Sequence, residues 1–179
     1  EVLMAGFGGQ GMLLAGKVLA QASMDLGKEV SWLPSYGPEM RGGTANVMVC
    51  IASTPIGSPL IESPRGLVVM NLPSLEKFGP KVKPGGIIVI NQSLVERDPG
   101  RHDCTVIKVP ARELAQEAGA PRAANFVMLG AYAGATDVVP PEAIEQAIAE
   151  EFTGDKAKYI PSSIAAFRAG LKAGQQARL

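Results

Sequence analysis

The chain has 179 residues, 46% of them hydrophobic and 19% charged, a composition that excludes a disordered or low-complexity protein. Its 17 Lys and Arg balance 17 Asp and Glu, so there is no basic field to draw nucleic acid or an anionic membrane, and neither is an expected partner. No apolar run approaches the roughly 18 residues that span a bilayer, and the first residues lack the pattern of a signal peptide; a cytoplasmic location is expected.

The chain opens at Glu1, at the edge of an apolar run and without an initiator Met, which implies that a few residues precede it. EVLMAG at 1–6 reads as a short buried strand. MLLAGKVLAQASMDL at 12–26 places Leu14, Val18 and Ala22 on one helical face with Leu19 and Leu26 beside it, and Gly27 ends the helix. EVSWLP at 29–34 is a second strand that runs into the loop SYGPEMRGG at 35–43, and TANVMVCIAS at 44–53 is a third. TPIGSPLIESPRG, with three prolines and two glycines, is a surface connection. LVVMN at 67–71 is a strand, and Pro73 opens a short helix where it has no donor to lose. GGIIVIN at 85–91 and CTVIKVP at 104–110 complete the sheet, with helices at about 111–118, 123–136, 141–152 and 162–177. Apolar strands separated by helices predict one α/β domain over 1–179. Its architecture is a Rossmann-like three-layer α/β/α fold: a mostly parallel sheet with helices on both faces and a helix-rich C-terminal third.

Two loops carry the candidate chemistry. GFGGQG at 6–11 fits G-x-G-x-x-G through Gly6, Gly8 and Gly11, and with Gly9 and Gln10 it stands between a strand and a helix, where backbone amides can hold a phosphate. A dinucleotide site also needs an acidic residue at the end of the second strand; here that place holds Leu33, Pro34 and Ser35. Anion binding, close packing or protein contact, and a nicotinamide site all remain open for this loop. The second loop should rise from the same sheet edge. In it Arg41 could clamp a phosphate or carboxylate with Glu39 bracing its fork, Tyr36 could add flat contact area, and Ser35, Gly42 and Gly43 complete the surface. An internal Glu39–Arg41 pair bracing the turn is the plainer alternative. Cys50 and Cys104 are isolated and expected to be reduced, His102 sits in a turn and is expected to be solvated, and no metal set or catalytic residue is assigned. Asn125 is expected to satisfy backbone amides at the start of its helix, or else to contact the GFGGQG loop.

GFGGQGMLLAGK, WLPSYGPEMRGGTANVMV, SPLIESP, MNLPSLEKF, VKPGG and ANFVMLGA together resemble the gamma subunit of the 2-oxoacid:ferredoxin oxidoreductases, nearest the 2-oxoglutarate or 2-ketoisovalerate type. The resemblance runs over about residues 2–135. Leu72 and Arg65 depart from its usual Gln and acidic residue, outside both loops. It implies a chain inactive alone, in a complex that converts a 2-oxoacid, coenzyme A and oxidised ferredoxin to acyl-CoA, carbon dioxide and reduced ferredoxin. Alpha and beta subunits, with a delta subunit in some complexes, would carry thiamine diphosphate and the iron–sulfur clusters, and this chain would bind no cofactor alone. Its glycine loops would line the coenzyme A channel or a subunit interface. A stand-alone nucleotide-binding protein and a purely architectural module are the alternatives.

Overall fold

A computed structural model describes residues 1–37 and 44–178. Among these, six strands form one sheet, β1 (Val2–Phe7), β2 (Glu29–Tyr36), β3 (Thr44–Ala52), β4 (Gly66–Val69), β5 (Ile87–Asn91) and β6 (Thr105–Val109), in the spatial order β2-β3-β1-β4-β5-β6. The helices are α1 (Met12–Asp25), α2 (Leu72–Phe78), α3 (Ala111–Glu117), α4 (Ala124–Thr136), α5 (Pro141–Glu151) and α6 (Ile160–Ala177).

β1, β4, β5 and β6 are parallel, as the apolar strand runs predict. β3 is not: it is antiparallel to both β1 and β2. The cause is the seven-residue connection from Tyr36 to Thr44, because a parallel return needs a crossover of a dozen residues or more. β2 also extends beyond the expected end at Pro34, so Ser35 and Tyr36 are strand residues paired with Asn46 and Ala45 instead of loop residues.

Alternation along the strands divides the core. Val2, Met4, Val47, Val49, Val68 and Val89 face α1, α3, α4, α5 and α6. Leu3, Ala5, Leu67, Val69, Ile88 and Ile90 face Leu75 and Phe78 of α2, with Val82 and Val95. Helices therefore cover both faces, but unequally, with α2 the one helix on its side among the described residues. The C-terminal third closes over the α1 side, where Phe126 of α4 and Phe167 of α6 are fully buried, each contributing about 1.5–3 kcal/mol.

α4 is buried along every residue from Asn125 to Gly134, a helix that is apolar all round because it is enclosed by neighbours. It meets α6 through four glycines. A Cβ at Gly170 would stand 1.8 Å from the Val127 carbonyl oxygen, at Gly174 2.1 Å from that of Ala131, at Gly130 2.1 Å from that of Phe167, and at Gly134 2.3 Å from that of Leu171. The two backbones touch, and no other residue type fits there. On the α2 side, Arg101 fastens the segment before β6. Its guanidinium donates to the carbonyls of Gly79 and Val82 at 2.8 and 2.7 Å and to the Asp103 carboxylate.

Candidate anion site at the carboxyl end of the sheet

The chain leaves β1 through a turn at Gly8 and Gly9, and Gly11 is the N-cap of α1. Gly9 and Gly11 have φ of 91° and 78°, the left-handed region that favours glycine. Gly11 is excluded from any larger residue for a second reason, since a Cβ there would stand 2.6 Å from Asn125 Nδ2. Gly6 is buried at the end of β1, where a Cβ would stand 2.6 Å from Gln10 Oε1. Gln10 is therefore folded back into the crevice between the ends of β1 and β4, its Oε1 accepting from the Phe7 N–H at 2.7 Å and from Asn71 Nδ2 at 3.2 Å. In an open α/β sheet, that crevice, where the strand order reverses, is the usual ligand position. Here a carboxamide fills it.

The open space lies beside it. A cavity of about 640 Å³ runs between the Gly9–Leu14 segment, residues 119–126 and the start of α6. Helices α1 and α4 both begin at it with no side-chain cap and no acidic residue in the first turn. In α4 the Phe126 N–H turns to the Ala123 carbonyl at 3.0 Å; the amides of Ala124 and Asn125, and those of Met12, Leu13 and Leu14 in α1, have no partner within their helix and are left to whatever occupies the space. α6 also starts at its wall, through Ser162 and Ser163. Arg122 is exposed at the cavity, and no carboxylate is among the described residues that line it. Phe126 and Phe152 meet edge to face at 6.1 Å, Phe152 and Tyr159 at 6.4 Å, and these three rings form an apolar wall that ends in a half-exposed phenol. The arrangement offers N–H donors and a guanidinium on one side and aromatic surface on the other, which suits an anionic ligand with an apolar or heteroaromatic portion.

Of the residues singled out from sequence, Gly9, Gln10 and Gly11 line this cavity and Gly6 and Gly8 shape its approach. Asn125 lines it too. It does not cap α4, whose N-cap is Ala123 without a side-chain bond; its Nδ2 donates to the Gly11 carbonyl at 3.2 Å, tying α4 to the glycine turn. Ser35 and Tyr36 lie at the same end of the sheet, since β2 runs in the same direction as β1, but with β3 between them, roughly 10 Å away at two strand spacings. Neither lines the cavity. Glu39, Arg41, Gly42 and Gly43 lie outside the described residues. Arg122, Phe152 and Tyr159 were not assigned as site residues from sequence. The available signal was the lack of Ser, Thr, Asp or Asn at the N-caps of α1 and α4, which leaves both helix ends open.

The strongly perturbed titratable groups are elsewhere. Burial raises the Tyr132 phenol at the opposite end of the sheet, and hydrogen bonds from Arg101 hold the Asp103 carboxyl down to about 2. The cavity's backbone amides, Arg122 and aromatic wall equip it to bind and orient a ligand. His102 is exposed in its turn, Cys50 is buried in β3, and Cys104 is half-buried just before β6, both thiols free. Two distant cysteines cannot supply the four ligands of an iron–sulfur cluster. Among the described residues there is no group of three metal-ligating side chains and no helix long and apolar enough to cross a membrane.

Comparison with known proteins places this geometry in a family. The chain is 42% identical over 172 residues to ketoisovalerate oxidoreductase subunit VorA of Methanothermobacter thermautotrophicus, covering 95% of this chain but 35% of that one. It therefore spans about a third of the length of that relative. With 2-oxoglutarate synthase subunit KorC of Methanocaldococcus jannaschii it shares 38% identity over 151 residues, covering 83% of this chain and 81% of that one. Among solved structures, the gamma subunit of a keto/oxoacid ferredoxin oxidoreductase from Geobacter sulfurreducens superposes with a TM-score of 0.81 at 26% identity over 98% of both chains. The 2-oxoglutarate:ferredoxin oxidoreductase of Magnetococcus marinus, solved with 2-oxoglutarate, coenzyme A and succinyl-CoA, has the same fold over 31% of its chain, with a TM-score of 0.86 at 22% identity. Residues 1–173 match the pyruvate ferredoxin/flavodoxin oxidoreductase family, and the chain belongs to it.

Proposed function

We propose that the chain acts as the gamma-type domain, over 1–179, of a 2-oxoacid:ferredoxin oxidoreductase, and that its cavity holds the phosphate-bearing part of coenzyme A. The observation that carries this reading is the meeting of two uncapped helix N-termini and Arg122 around a space with no carboxylate among the described residues that line it. Coenzyme A combines phosphates with a heteroaromatic ring and an apolar arm, and the aromatic wall suits those portions. In the overall reaction the 2-oxoacid loses carbon dioxide, its acyl group passes to the thiol of coenzyme A, and two electrons go to ferredoxin. Thiamine diphosphate and iron–sulfur clusters, held by alpha and beta or further subunits in the cytoplasm, supply the decarboxylation and the electron path. This chain binds and orients the acyl acceptor. Tyr36, 52% exposed at the same end of the sheet, together with Ser35, faces a companion subunit in this reading. The Gln10 carboxamide in the β1–β4 crevice, with no acid at the end of β2, disfavours the nicotinamide alternative.

The test is Arg122→Ala in the enzyme assembled with its companion subunits. Loss of a partly solvated, charge-assisted contact costs about 1–2 kcal/mol, so the KM for coenzyme A should rise roughly 5- to 30-fold while that for the 2-oxoacid stays put. An unchanged KM for coenzyme A refutes the assignment of the cavity.

A further inference from the structure

We propose that Asn71, which lies outside the cavity, is a positioning residue for the ligand, acting through the orientation of the Gln10 carboxamide. The inference rests on the coenzyme A reading of the cavity and names how one of its walls is set. Asn71 is 3% exposed and stands between β4 and α2, on the far side of the crevice from α1. Its Oδ1 accepts from the Ser74 N–H at 2.9 Å and caps α2. A backbone N–H can only donate, so this bond decides which arm of the Asn71 amide is oxygen and leaves Nδ2 as the donor toward Gln10 at 3.2 Å. Gln10 must then present Oε1 to that donor. The Phe7 N–H, at 2.7 Å, independently demands the same orientation. Two backbone donors, one at the start of α2 and one at the end of β1, thereby fix the polarity of both carboxamides in series.

Gln10 Oε1 is satisfied twice, while its Nε2 makes no hydrogen bond among the described residues, and Gln10 borders the cavity. The Nε2 therefore supplies two N–H donors to the ligand beside the amides of the α1 start. A glutamine turned over would present its carbonyl oxygen to a phosphate; the Phe7 and Asn71 bonds together remove that orientation.

The experiment uses the enzyme assembled with its companion subunits and coenzyme A as the probe. Asn71→Asp keeps the cap, since Asp caps as well as Asn, but sets a carboxylate oxygen against Gln10 Oε1; the charge-assisted bond that Nε2 can make to it outweighs the neutral Phe7 bond, so Gln10 turns its Nε2 back toward the new carboxylate. The KM for coenzyme A should rise roughly 5- to 20-fold with kcat at saturating coenzyme A within about twofold. Gln10→Met, of similar length and apolar, should raise it by a similar factor, and Asn71→Asp added to Gln10→Met should have no further effect. That lack of additivity is what a residue acting only through Gln10 produces. Factors that multiply in the double variant overturn the proposal, because Asn71 then acts through α2 and not through Gln10. An Asn71→Asp enzyme with an unchanged KM also overturns it, and a raised KM in Arg122→Ala would at the same time leave the coenzyme A reading standing. If Arg122→Ala, Asn71→Asp and Gln10→Met all leave the KM alone, both readings fall. Should Asn71→Asp not assemble, Asn71→Ser, which also caps and leaves the Phe7 N–H alone to hold Gln10, should raise the KM by a smaller factor, again with no further effect when added to Gln10→Met; an unchanged KM, or factors that multiply, overturns the proposal.

Discussion

Replacing Gly170 with Ala tests the contact between α4 and α6 where it is tightest. The added Cβ would stand 1.8 Å from the Val127 carbonyl oxygen, 2.7 Å from its carbonyl carbon and 2.9 Å from its Cα. These are backbone atoms of a buried helix, so no side-chain rotation relieves the overlap. Restoring a C···O contact of about 3.3 Å requires the helices to part by about 1.5 Å along that line. The neighbouring contacts at Gly130, Gly134 and Gly174 loosen with it. Overpacking of this kind reaches about 3 kcal/mol, and the better helix propensity of Ala returns about 1 kcal/mol. A net loss of about 2 kcal/mol lowers the Tm of a chain this long by roughly 4–8 °C. Thermal unfolding followed by circular dichroism measures it. Gly57→Ala is the control, because nothing lies within 4 Å of a Cβ there; it should change Tm little or raise it slightly. A Gly170→Ala chain as stable as the parent would show that the helices yield without cost and would refute the account of the glycine contact.

Two further predictions concern pH. Asp103 is held down to about 2, chiefly by hydrogen bonds from Arg101. Its folded value thus lies below the ordinary 3.8, so its contribution is present above about pH 4 and is lost as pH falls toward about 2. Asp103→Asn should therefore melt lower than the parent at pH 5–7, with the gap closing toward pH 2; a gap independent of pH contradicts the pairing. Burial raises the Tyr132 phenol above its ordinary 10.0. Its contribution is then whole below about pH 10 and is lost as pH rises beyond that. Tyr132→Phe, a nearly isosteric change at a buried site, should leave Tm at pH 7 within about 6 °C of the parent's, the range of a change under about 1.5 kcal/mol, and lose less of it above pH 10. Parallel alkaline curves for the two proteins would argue against it.

The strands were legible because apolar runs bounded by Gly and Pro leave few other readings, and the G-x-G-x-x-G stretch located the α1 start correctly. The direction of β3 was not in its residues, which alternate much as a parallel strand's could; it was set by the length of the connection before it. Asn125 shows a different limit. Its type and place at a helix start fitted both a cap and a contact to the glycine turn, and only the packing of α4 onto Gly11 selects the second. The cavity was the least legible part. Its walls come from residues 9–14, 119–126 and 152–163, brought together by the docking of α4 and α6, and no local pattern joins segments more than a hundred residues apart. The glycine pairs 130/134 and 170/174 acquire meaning only from each other, once α4 and α6 are docked.

The enclosure of α4 also has a consequence for synthesis on the ribosome. This helix is apolar on every side, and one of those sides is closed by α6, whose end emerges roughly forty residues later. At 5–20 residues per second, the nascent chain carries an uncovered greasy helix for about 2–8 s, and the exposed β1–β3–β4 face waits with it. Folding of this domain is completed only once α6 has emerged. A chain stalled or truncated before Gly170 would leave the inner face of α4 open, a natural substrate for holding chaperones and for proteolysis.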